Sequence, residues 1–310
     1  MSETQHLPVL LEETLRLLEP KSGEVFIDAT LGLGGHAEAI LETAGDIQVM
    51  GIDQDTEAIG FARKRLAKFG DRISIVYSNF TEIKQVAGDE PIDGILADLG
   101  VSSLQFDSGE RGFSFRFDAP LDMRMDADSD DPTAADLLAD LSQDEIANLI
   151  YQYGEERASR KIAKWIVEKR DAGDPITTTR QLASLVERAV KKGKKDKIHP
   201  ATRTFQALRI AVNREIEILE QFLTDSVDVL KNEGRLAVIT FHSLEDRIVK
   251  QTFQKLSGKC FCPPRIPQCM CGALKRVEIL TRKPIIPSEV EMNENPRSRS
   301  AKLRAIKKLS

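Results

Sequence analysis

The sequence predicts an α/β protein with a seven-stranded, mostly parallel sheet and an inserted all-helical segment. Short apolar runs alternate with amphipathic helical segments between residues 9 and 97, as a parallel sheet with crossover helices requires. Residues 132–231 show almost only helical periodicity. The apolar run Arg235–Phe241 then restores the strand pattern, and Leu274–Leu280 and Lys302–Ile306 supply the last two strands.

The amino-terminal part of the sheet follows in chain order. An amphipathic helix is predicted over Val9–Glu19, and the residues of 20–23, Pro-Lys-Ser-Gly, end it. Four strands are predicted at Val25–Ala29, Ile47–Ile52, Ile73–Tyr77 and Ile92–Ala97. The helices between them are predicted at His36–Thr43, Thr56–Lys68 and, briefly, Thr81–Val86.

The alternation of strands and helices stops after Asp98. Residues Gln105–Arg124 are rich in glycine, phenylalanine and charge without a clear period, which is typical of a long functional loop. Helices are predicted at Ala134–Asp140, Gln143–Tyr153, Glu155–Ala172, Thr179–Val190 and Ala201–Lys231, the last being one helix or two. We predict a sheet domain of residues 1–106 and 199–310, and a helical, substrate-recognising insertion of residues 107–198. A further helix is predicted over Glu245–Leu256, with the Ser243 hydroxyl as its cap.

Composition indicates a globular protein with a sizeable core, because 41% of the 310 residues are hydrophobic and 30% are charged. The net charge is −5, but it is unevenly distributed. Residues 118–131 contain six aspartates and one arginine, whereas residues 296–310 contain six basic residues and no acid. No apolar stretch is long enough to span a membrane, and the amino terminus lacks a secretory signal pattern. We therefore expect a cytoplasmic protein with no membrane partner.

The clearest functional signal lies between Glu24 and Asp53. A predicted strand leads into the turn Gly32-Leu33-Gly34-Gly35, a helix begins at His36, and Asp53 ends the next strand 18 residues after Gly35. Glycine permits a ligand to approach the backbone, and an acid at that strand end suits the hydroxyls of a ribose. The pattern predicts a nucleoside cofactor; the alternative is an ordinary turn with a surface aspartate.

Asp28 distinguishes among nucleoside cofactors. It lies four residues before Gly32, where a carboxylate would repel a pyrophosphate but would accept hydrogen bonds from a cationic amino-acid group. The arrangement resembles the first motif of methyltransferases that depend on S-adenosylmethionine (SAM). Thr30 stands where that motif often has its first glycine.

Four residues follow the ends of predicted strands: Asp28, Asp53, Phe80 and Asp98. Because ligands of an open α/β sheet bind beyond the carboxyl ends of its strands, we expect these side chains to meet at one site. Phe80 either packs on an adenine ring or belongs to the core. Asp98 is the candidate catalytic residue, because methyl transfer to an exocyclic amine needs an acceptor for an amino hydrogen; alternatively it caps the next turn. Gln105 is a candidate cofactor contact.

Basic residues suggest a surface for nucleic acid. Residues 188–197 are dominated by lysine, and one face of the following helix carries Arg203, Gln206, Arg209 and Asn213 at spacings of three and four. Such a set suits a phosphate backbone, although a charge run is more often a solvated face. His242 is either a substrate-binding or proton-transfer residue or a structural histidine. The phenylalanines of residues 112–117 are candidates for stacking a flipped base.

The four cysteines form one short cluster: Cys260, Cys262, Cys269 and Cys271. Clustered thiols in a reducing compartment favour zinc over disulfides. However, the C-x-C spacing is tighter than the usual C-x-x-C zinc knuckle, so a zinc site, a reduced metal-free loop and redox-labile thiols all remain open.

Seven segments spread almost from end to end carry a resemblance to a known family: HLPVLLEE (6–13), DATLGLGGH (28–36), DLGVSS (98–103), RGFSF (111–115), HPATRTFQALRIAVN (199–213), FHSLEDR (241–247) and CFCPPRIPQCMCG (260–272). Together they resemble the bacterial small-subunit 16S rRNA cytosine-N4-methyltransferase H family.

The resemblance implies a Rossmann-like class I methyltransferase sheet and SAM as methyl donor. It also implies a cytosine of the decoding centre, methylated on N4 within the small ribosomal subunit, as substrate. Family cofactor contacts carry over to residues that keep the matching type: Gly34, Gly35, His36, Asp53, Phe80, Asp98 and Gln105. A homodimer is an open option. The rival functions are a methyltransferase acting on DNA or protein and a nucleic-acid-binding regulator that only senses SAM.

Overall fold

The computed structural model describes residues 8–107, 109–190, 199–263 and 270–310. The lysines of residues 191–197 and Cys269 therefore lie outside the described residues. In chain order, the helices and strands are α1 (Leu11–Leu18), β1 (Val25–Asp28), α2 (Gly35–Thr43), β2 (Gln48–Asp53), α3 (Thr56–Leu66), β3 (Ile73–Tyr77), α4 (Ile83–Ala87), β4 (Ile92–Asp98), α5 (Ser103–Asp107), α6 (Ala134–Asp140), α7 (Gln143–Gly154), α8 (Ser159–Asp171), α9 (Thr179–Ala189), α10 (Thr202–Val212), α11 (Glu215–Val229), β5 (Leu230–Thr240), α12 (Ser243–Leu256), β6 (Val277–Ile279), α13 (Glu289–Glu294) and β7 (Lys302–Lys308).

The chain divides into two compact units. The first contains Met1–Gly100 and Ile216–Ser310, and the second contains Val101–Glu215. In the first unit, seven strands form one sheet in the order β3-β2-β1-β4-β5-β7-β6. The first five are parallel, and β7 pairs antiparallel with both β5 and β6. The predicted seven-stranded, mostly parallel sheet is confirmed.

Alternating side chains cover the two faces of this sheet. Ile27 and Ile95 lie in one core cluster with Phe222 of α11. Their chain neighbours Phe26 and Leu96 lie in a second cluster with Ile40 of α2. Because successive residues of a strand point to opposite faces, strands that are apolar throughout are buried on both sides. Side chains packed on both faces therefore hold the sheet rigid, and the ends of its strands have fixed positions.

The second unit has a core of its own. Helices α6 to α10 contribute buried side chains such as Leu138, Ile150 and Leu182. Capping boxes begin α6, α7 and α9; in each, a Ser or Thr and an acid or amide three residues later satisfy backbone donors reciprocally. The predicted helices of this region are thus present, with ends shifted by a few residues.

The unit boundaries differ from the predicted 107–198 insertion. Helix α10, predicted to belong to the sheet domain, packs in the second unit, where Phe205 and Leu208 join the buried cluster. The apolar face of α10 therefore stabilises the helical unit rather than the sheet unit. Between α10 and α11, Arg214 is a non-glycine residue with φ of 52°.

Of the two options predicted for residues 201–231, the structure has two helices, α10 and α11. Three local predictions need correction. Strand β5 begins at Leu230, five residues earlier than predicted, because Leu230 pairs with Ile92. His242, not Ser243, is the N-cap of α12. The predicted strand 274–280 is reduced to Val277–Ile279.

The predicted long loop is partly a core element. Phe113, Leu121 and Met123 are buried in the second unit, and the Leu121 amide donates to the Thr177 carbonyl at 2.9 Å. A short helix, α5, also occupies its first residues. Within the described ranges, no helix is both long and apolar enough to cross a bilayer.

Candidate functional site

Three acids of the first unit lie at the ends of adjacent strands. Asp28 ends β1, Asp53 ends β2 and Asp98 ends β4. These strands are parallel neighbours in the sheet, so their carboxyl ends share one edge. The acids are close enough to affect one another, since the charge of Asp53 raises the pKa of Asp28 and the charge of Asp28 raises the pKa of Asp98.

Asp28 lies buried beneath the glycine-rich turn, with 1% of its surface exposed. Its carboxylate accepts hydrogen bonds from the backbone amides of Thr30 and Ala37, the latter in the first turn of α2. Burial raises the pKa of Asp28 from 3.8 to about 7, even though these two donors favour the charged form. Asp28 therefore stabilises the turn as well as adding negative potential to the site.

Asp53 fixes the other side of the turn. Its Oδ2 accepts from the Gly32 amide at 2.7 Å, and its Oδ1 accepts from the Asp55 amide at 2.9 Å. Burial raises the pKa of Asp53 above its usual value. Each carboxylate oxygen has a further lone pair, so both can still accept a hydrogen bond from a ligand hydroxyl.

The glycines of the turn are required by packing. Gly34 has φ of +78°, and a Cβ there would lie 2.9 Å from Leu66 Cδ1. A Cβ on Gly35 would lie 2.6 Å from Pro8 Cγ. Both positions therefore need glycine to let the turn approach its neighbours; a cofactor contact by their backbone stays a prediction.

Thr30 connects β1 to the end of β4. Its hydroxyl accepts a hydrogen bond from the Asp98 amide at 2.6 Å, while its own amide donates to Asp28. This gives a physical reason for a threonine at the position where the resembling motif often has glycine. The hydroxyl fixes the backbone that carries Asp98.

Asp98 is the most perturbed acid of the site. Burial raises its pKa well above the usual value, and the nearby charges of Asp28 and Glu245 raise it further. The side chain still exposes 24% of its surface. Its Oδ1 is buried and accepts no hydrogen bond from the described residues. An orphaned acceptor is costly inside a protein, so Oδ1 is suited to receive a donor from a ligand.

His36 lies beside Asp98. Its Nε2 is 3.0 Å from the Val9 carbonyl oxygen, which can only accept, so Nε2 carries the proton. Nδ1 therefore faces Asp98 Oδ2, at 3.8 Å. The Val9 contact thus fixes the tautomer of a buried histidine next to the candidate catalytic acid.

Glu245, a residue that the sequence analysis did not select, belongs to the same site. It is 2% exposed, and its Oε2 accepts from the Phe241 amide at 2.8 Å. Its Oε1 lies 3.1 Å from His242 Nε2, in a geometry that makes no hydrogen bond. The H-x-x-E spacing in residues 242–245, which matches a capping box, is the signal that would have identified it. His242 is the N-cap of this capping box, since its Nδ1 accepts a hydrogen bond from the Glu245 amide.

Phe80 follows β3 and is partly buried. Its ring contacts the ring of Phe222 edge-on, with centroids 4.8 Å apart, and it packs against the core on that face of the sheet. Core packing and contact with an adenine ring are therefore compatible for Phe80, because a ring that packs by one edge can still contact a ligand with its face.

Other predicted site residues lie in the second unit. Gln105 is 4% exposed, and its Oε1 accepts from the Ser102 amide at 3.0 Å.

The predicted stripe on α10 needs correction, because three of its four side chains make internal hydrogen bonds. Arg209 forms a bidentate pair with Glu215 at 2.9 and 2.8 Å, Gln206 donates to the Tyr153 carbonyl, and Asn213 bonds to Met123 and Met125. Arg203 is 48% exposed and stays a candidate for RNA contact.

The phenylalanines of residues 112–117 have different environments. Phe113 is buried, and Phe115 stacks on His199 with ring centroids 4.5 Å apart. Phe117 is 49% exposed, so it alone of the three offers an open ring for stacking on a base.

The sheet order, the antiparallel β7 and the acids at the ends of β1, β2 and β4 define a class I methyltransferase, a class that uses SAM. A family profile described as the MraW methylase family matches residues 3–309. The chain belongs to that family.

Close relatives span the whole chain. A protein named Ribosomal RNA small subunit methyltransferase H from Geotalea daltonii is 50% identical over 314 residues, with 100% of both chains covered. Its namesake from Carboxydothermus hydrogenoformans is 50% identical over 311 residues, with 99% of each chain covered. Another, from Syntrophotalea carbinolica, is 52% identical over 310 residues, with 98% of each chain covered.

The described residues fit SAM on chemical grounds. The neighbours that raise the pKa values of Asp28 and Asp98 are other acids, so the ionised forms of these acids disfavour one another. A ligand carrying a sulfonium and an ammonium group would relieve this repulsion, and its ribose would offer hydroxyl donors to Asp53.

Proposed function

We propose that this protein transfers a methyl group from SAM to the exocyclic N4 of a cytosine in the decoding centre of small-subunit rRNA. Membership of the methylase family and the names of its relatives support an rRNA substrate. The observation that supports an amine as the methyl acceptor is the buried Oδ1 of Asp98, which lacks a hydrogen-bond donor among the described residues.

The first unit would hold the cofactor. Asp53 would accept hydrogen bonds from the ribose, the turn at Gly34 and Gly35 would offer backbone contacts, and Phe80 would contact the adenine ring. A cationic ligand would lower the raised pKa values of Asp28 and Asp98, so these carboxylates would ionise beside the cationic part of the ligand and favour its binding. When bound, SAM supplies an electrophilic methyl group.

Asp98 would act on the substrate amine. Its Oδ1 would accept one N–H of the exocyclic amine, which orients the nitrogen and stabilises the positive charge that develops there. After transfer, the nitrogen must lose a proton, and a carboxylate with a raised pKa is a better acceptor for that proton than an ordinary aspartate. Thr30 and His36 would be positioning residues, because they contact the backbone and the carboxylate of Asp98 respectively.

A neutral amine needs no covalent intermediate, in contrast to cytosine C5, whose methylation uses a cysteine nucleophile. The described cysteines follow the carboxyl end of α12, whereas His242 and Glu245 at its amino end lie at the site. A helix of 14 residues is about 21 Å long. This separation favours direct transfer to nitrogen.

The second unit would recognise the substrate. Its exposed Arg203 and Phe117 are of the types that contact phosphate and stack on bases. The partner would be the small ribosomal subunit with its 16S rRNA, and the reaction would take place in the cytoplasm. Gln105 as a cofactor contact and a homodimer stay predictions.

Product analysis tests the proposed reaction. The enzyme is incubated with labelled SAM and assembled small subunits, free 16S rRNA or DNA, and the nucleic acid is digested to nucleosides for chromatography and mass spectrometry. We expect N4-methylcytidine from small subunits. Label found in DNA or protein instead would support the rival methyltransferases, and tight SAM binding without turnover on any substrate would support a SAM-sensing regulator.

Substitution of Asp98 tests the assigned role. Asp98→Ala should lower kcat about 100-fold or more, because it removes both the amine acceptor and the proton acceptor. Asp98→Asn keeps one carbonyl oxygen, so it should retain KM for the RNA better than alanine but recover little kcat. Asp89→Ala, in an exposed loop, is the matched control. Near-normal turnover by Asp98→Ala would remove Asp98 from the mechanism.

A further inference from the structure

Three of the four cysteines converge after α12, outside the methyl-transfer site. The sulfur atoms of Cys260, Cys262 and Cys271 all lie within 4.8 Å of one another. Cys260 and Cys271 are eleven residues apart in the chain, yet their sulfurs are 3.7 Å apart, and no disulfide joins the three. All three keep solvent exposure, so an ion in solution can reach them.

The sulfur separation matches a tetrahedral metal centre. Zinc–sulfur bonds of about 2.3 Å at a tetrahedral angle hold two sulfurs about 3.8 Å apart, close to the 3.7 Å between Cys260 and Cys271. A disulfide would require a sulfur–sulfur distance of about 2 Å. The arrangement is therefore that of separate thiols gathered about a common point.

Two backbone amides donate to the sulfurs of the cluster. The Cys262 amide donates to Cys260 Sγ at 3.4 Å, and the Met270 amide donates to Cys262 Sγ at 3.3 Å. Such outer contacts orient the ligands of metal sites.

Backbone contacts join the two stretches of chain that lead to the cysteines. Ser257 and Lys275 form an antiparallel bridge, and the Arg276 amide donates to the Leu256 carbonyl at 2.8 Å. Gly258, with φ of +84°, permits the close approach of Lys275. A metal bound by the three cysteines would link residues 260–262 to Cys271 a second time, and so restrict the backbone at those residues.

We propose that Cys260, Cys262 and Cys271 bind a structural zinc ion, supplying three of the four positions of a tetrahedral site. Zinc fits better than other ions because thiolates select soft metals and a tetrahedral set of sulfurs suits zinc. The ion stabilises the segment between α12 and β6 and takes no part in methyl transfer. The rival account is a metal-free loop in which the Cys271 thiol donates to Cys260 Sγ.

Metal analysis of the full chain tests the site. The protein is expressed with added zinc and purified under reducing conditions without chelators, and its metals are measured by plasma mass spectrometry. We expect about one zinc per chain. Cys271→Ser and Cys260→Ser should lose most of it, whereas Met270→Ser, a change at an 83% exposed neighbour, should retain it. Wild-type protein without zinc, or zinc retained by both cysteine variants, would overturn the site.

A second measurement avoids variants that fail to fold. Wild-type protein is stripped of metal and titrated with cobalt(II), whose bound form should show the charge-transfer and visible bands of a tetrahedral thiolate complex. Absence of these bands would also overturn the proposal. Trypsin cleavage at Lys259 and Lys275 should be several-fold faster in the stripped protein; an unchanged rate would contradict the structural role. Both readouts are independent of methylation, so the zinc site and the proposed activity can fail separately.

Discussion

Asp28 makes the first unit sensitive to pH in a way that one substitution can reveal. In the folded protein its pKa is about 7, against 3.8 for an ordinary aspartate, because it is buried. Between about pH 4 and pH 7, Asp28 is therefore mostly protonated in the folded protein and mostly ionised in the unfolded chain. The resulting contribution to stability is fully present below pH 4, decreases as pH rises, and is lost above pH 7.

The size of the effect follows from the two pKa values. At 1.36 kcal/mol per pKa unit, the charged form of Asp28 disfavours folding by roughly 4 kcal/mol at pH 8 and by only about 2 kcal/mol at pH 5. Asp28→Asn keeps the shape of the side chain and one oxygen to accept from Thr30 and Ala37, but it cannot ionise. The fixed cost of the new amide group is the same at both pH values.

The assay is urea unfolding of wild type and Asp28→Asn at pH 5 and pH 8, without SAM, followed by far-UV circular dichroism. We expect the stability of the variant relative to wild type to rise by about 2 to 3 kcal/mol between the two pH values. Asp89→Asn, at an exposed position, should show no such rise. If the difference between Asp28→Asn and wild type is independent of pH, burial does not penalise the charge of Asp28.

Two further predictions concern stability. Arg209→Ala should cost about 3 kcal/mol in unfolding free energy, because it leaves the Glu215 carboxylate, which is only 10% exposed, without its bidentate partner. Arg160→Ala, at an exposed position of α8 in the same unit, should change the unfolding free energy by less than about 0.5 kcal/mol, and equal effects of the two substitutions would refute this distinction. Gly34→Ala should cost about 1 to 3 kcal/mol, because a Cβ at positive φ would clash with Leu66. Gly60→Ala, with open space in α3, should stabilise by up to about 1 kcal/mol, so thermal melting of the two variants should shift in opposite directions.

Much of the sheet could be predicted because its signals are local. Each strand is a short apolar run, and each acid at a strand end follows directly from the position of that run. The parallel connection rule then brings Asp28, Asp53 and Asp98 to one edge without knowledge of a single contact. The helix ends of the second unit were predictable for the same reason, since their capping residues lie within four positions of one another.

Residues whose partners are distant in sequence were harder to assign. The stripe on α10 has a helical spacing that fits an RNA-binding face, but Asn213 contacts backbone 88 and 90 residues earlier, at Met125 and Met123. Helical spacing defines a face but does not tell whether that face meets solvent or protein. The same limitation explains why the predicted domain boundary differs from the observed one. The apolar face of α10 can be read from the sequence, but the sequence does not tell which of the two units that face packs in.

The sequence by itself determined the order of strands and helices, the acids at the strand ends and the family, because each depends on neighbouring residues or on a chain-long match. Only the tertiary structure decided that the Thr30 hydroxyl accepts from the Asp98 amide, that Glu245 raises the pKa of Asp98, and that the sulfurs of Cys260 and Cys271 lie 3.7 Å apart. Hydrogen bonds, burial and pKa values depend on atoms brought together from distant parts of the chain, and no local pattern encodes those distances.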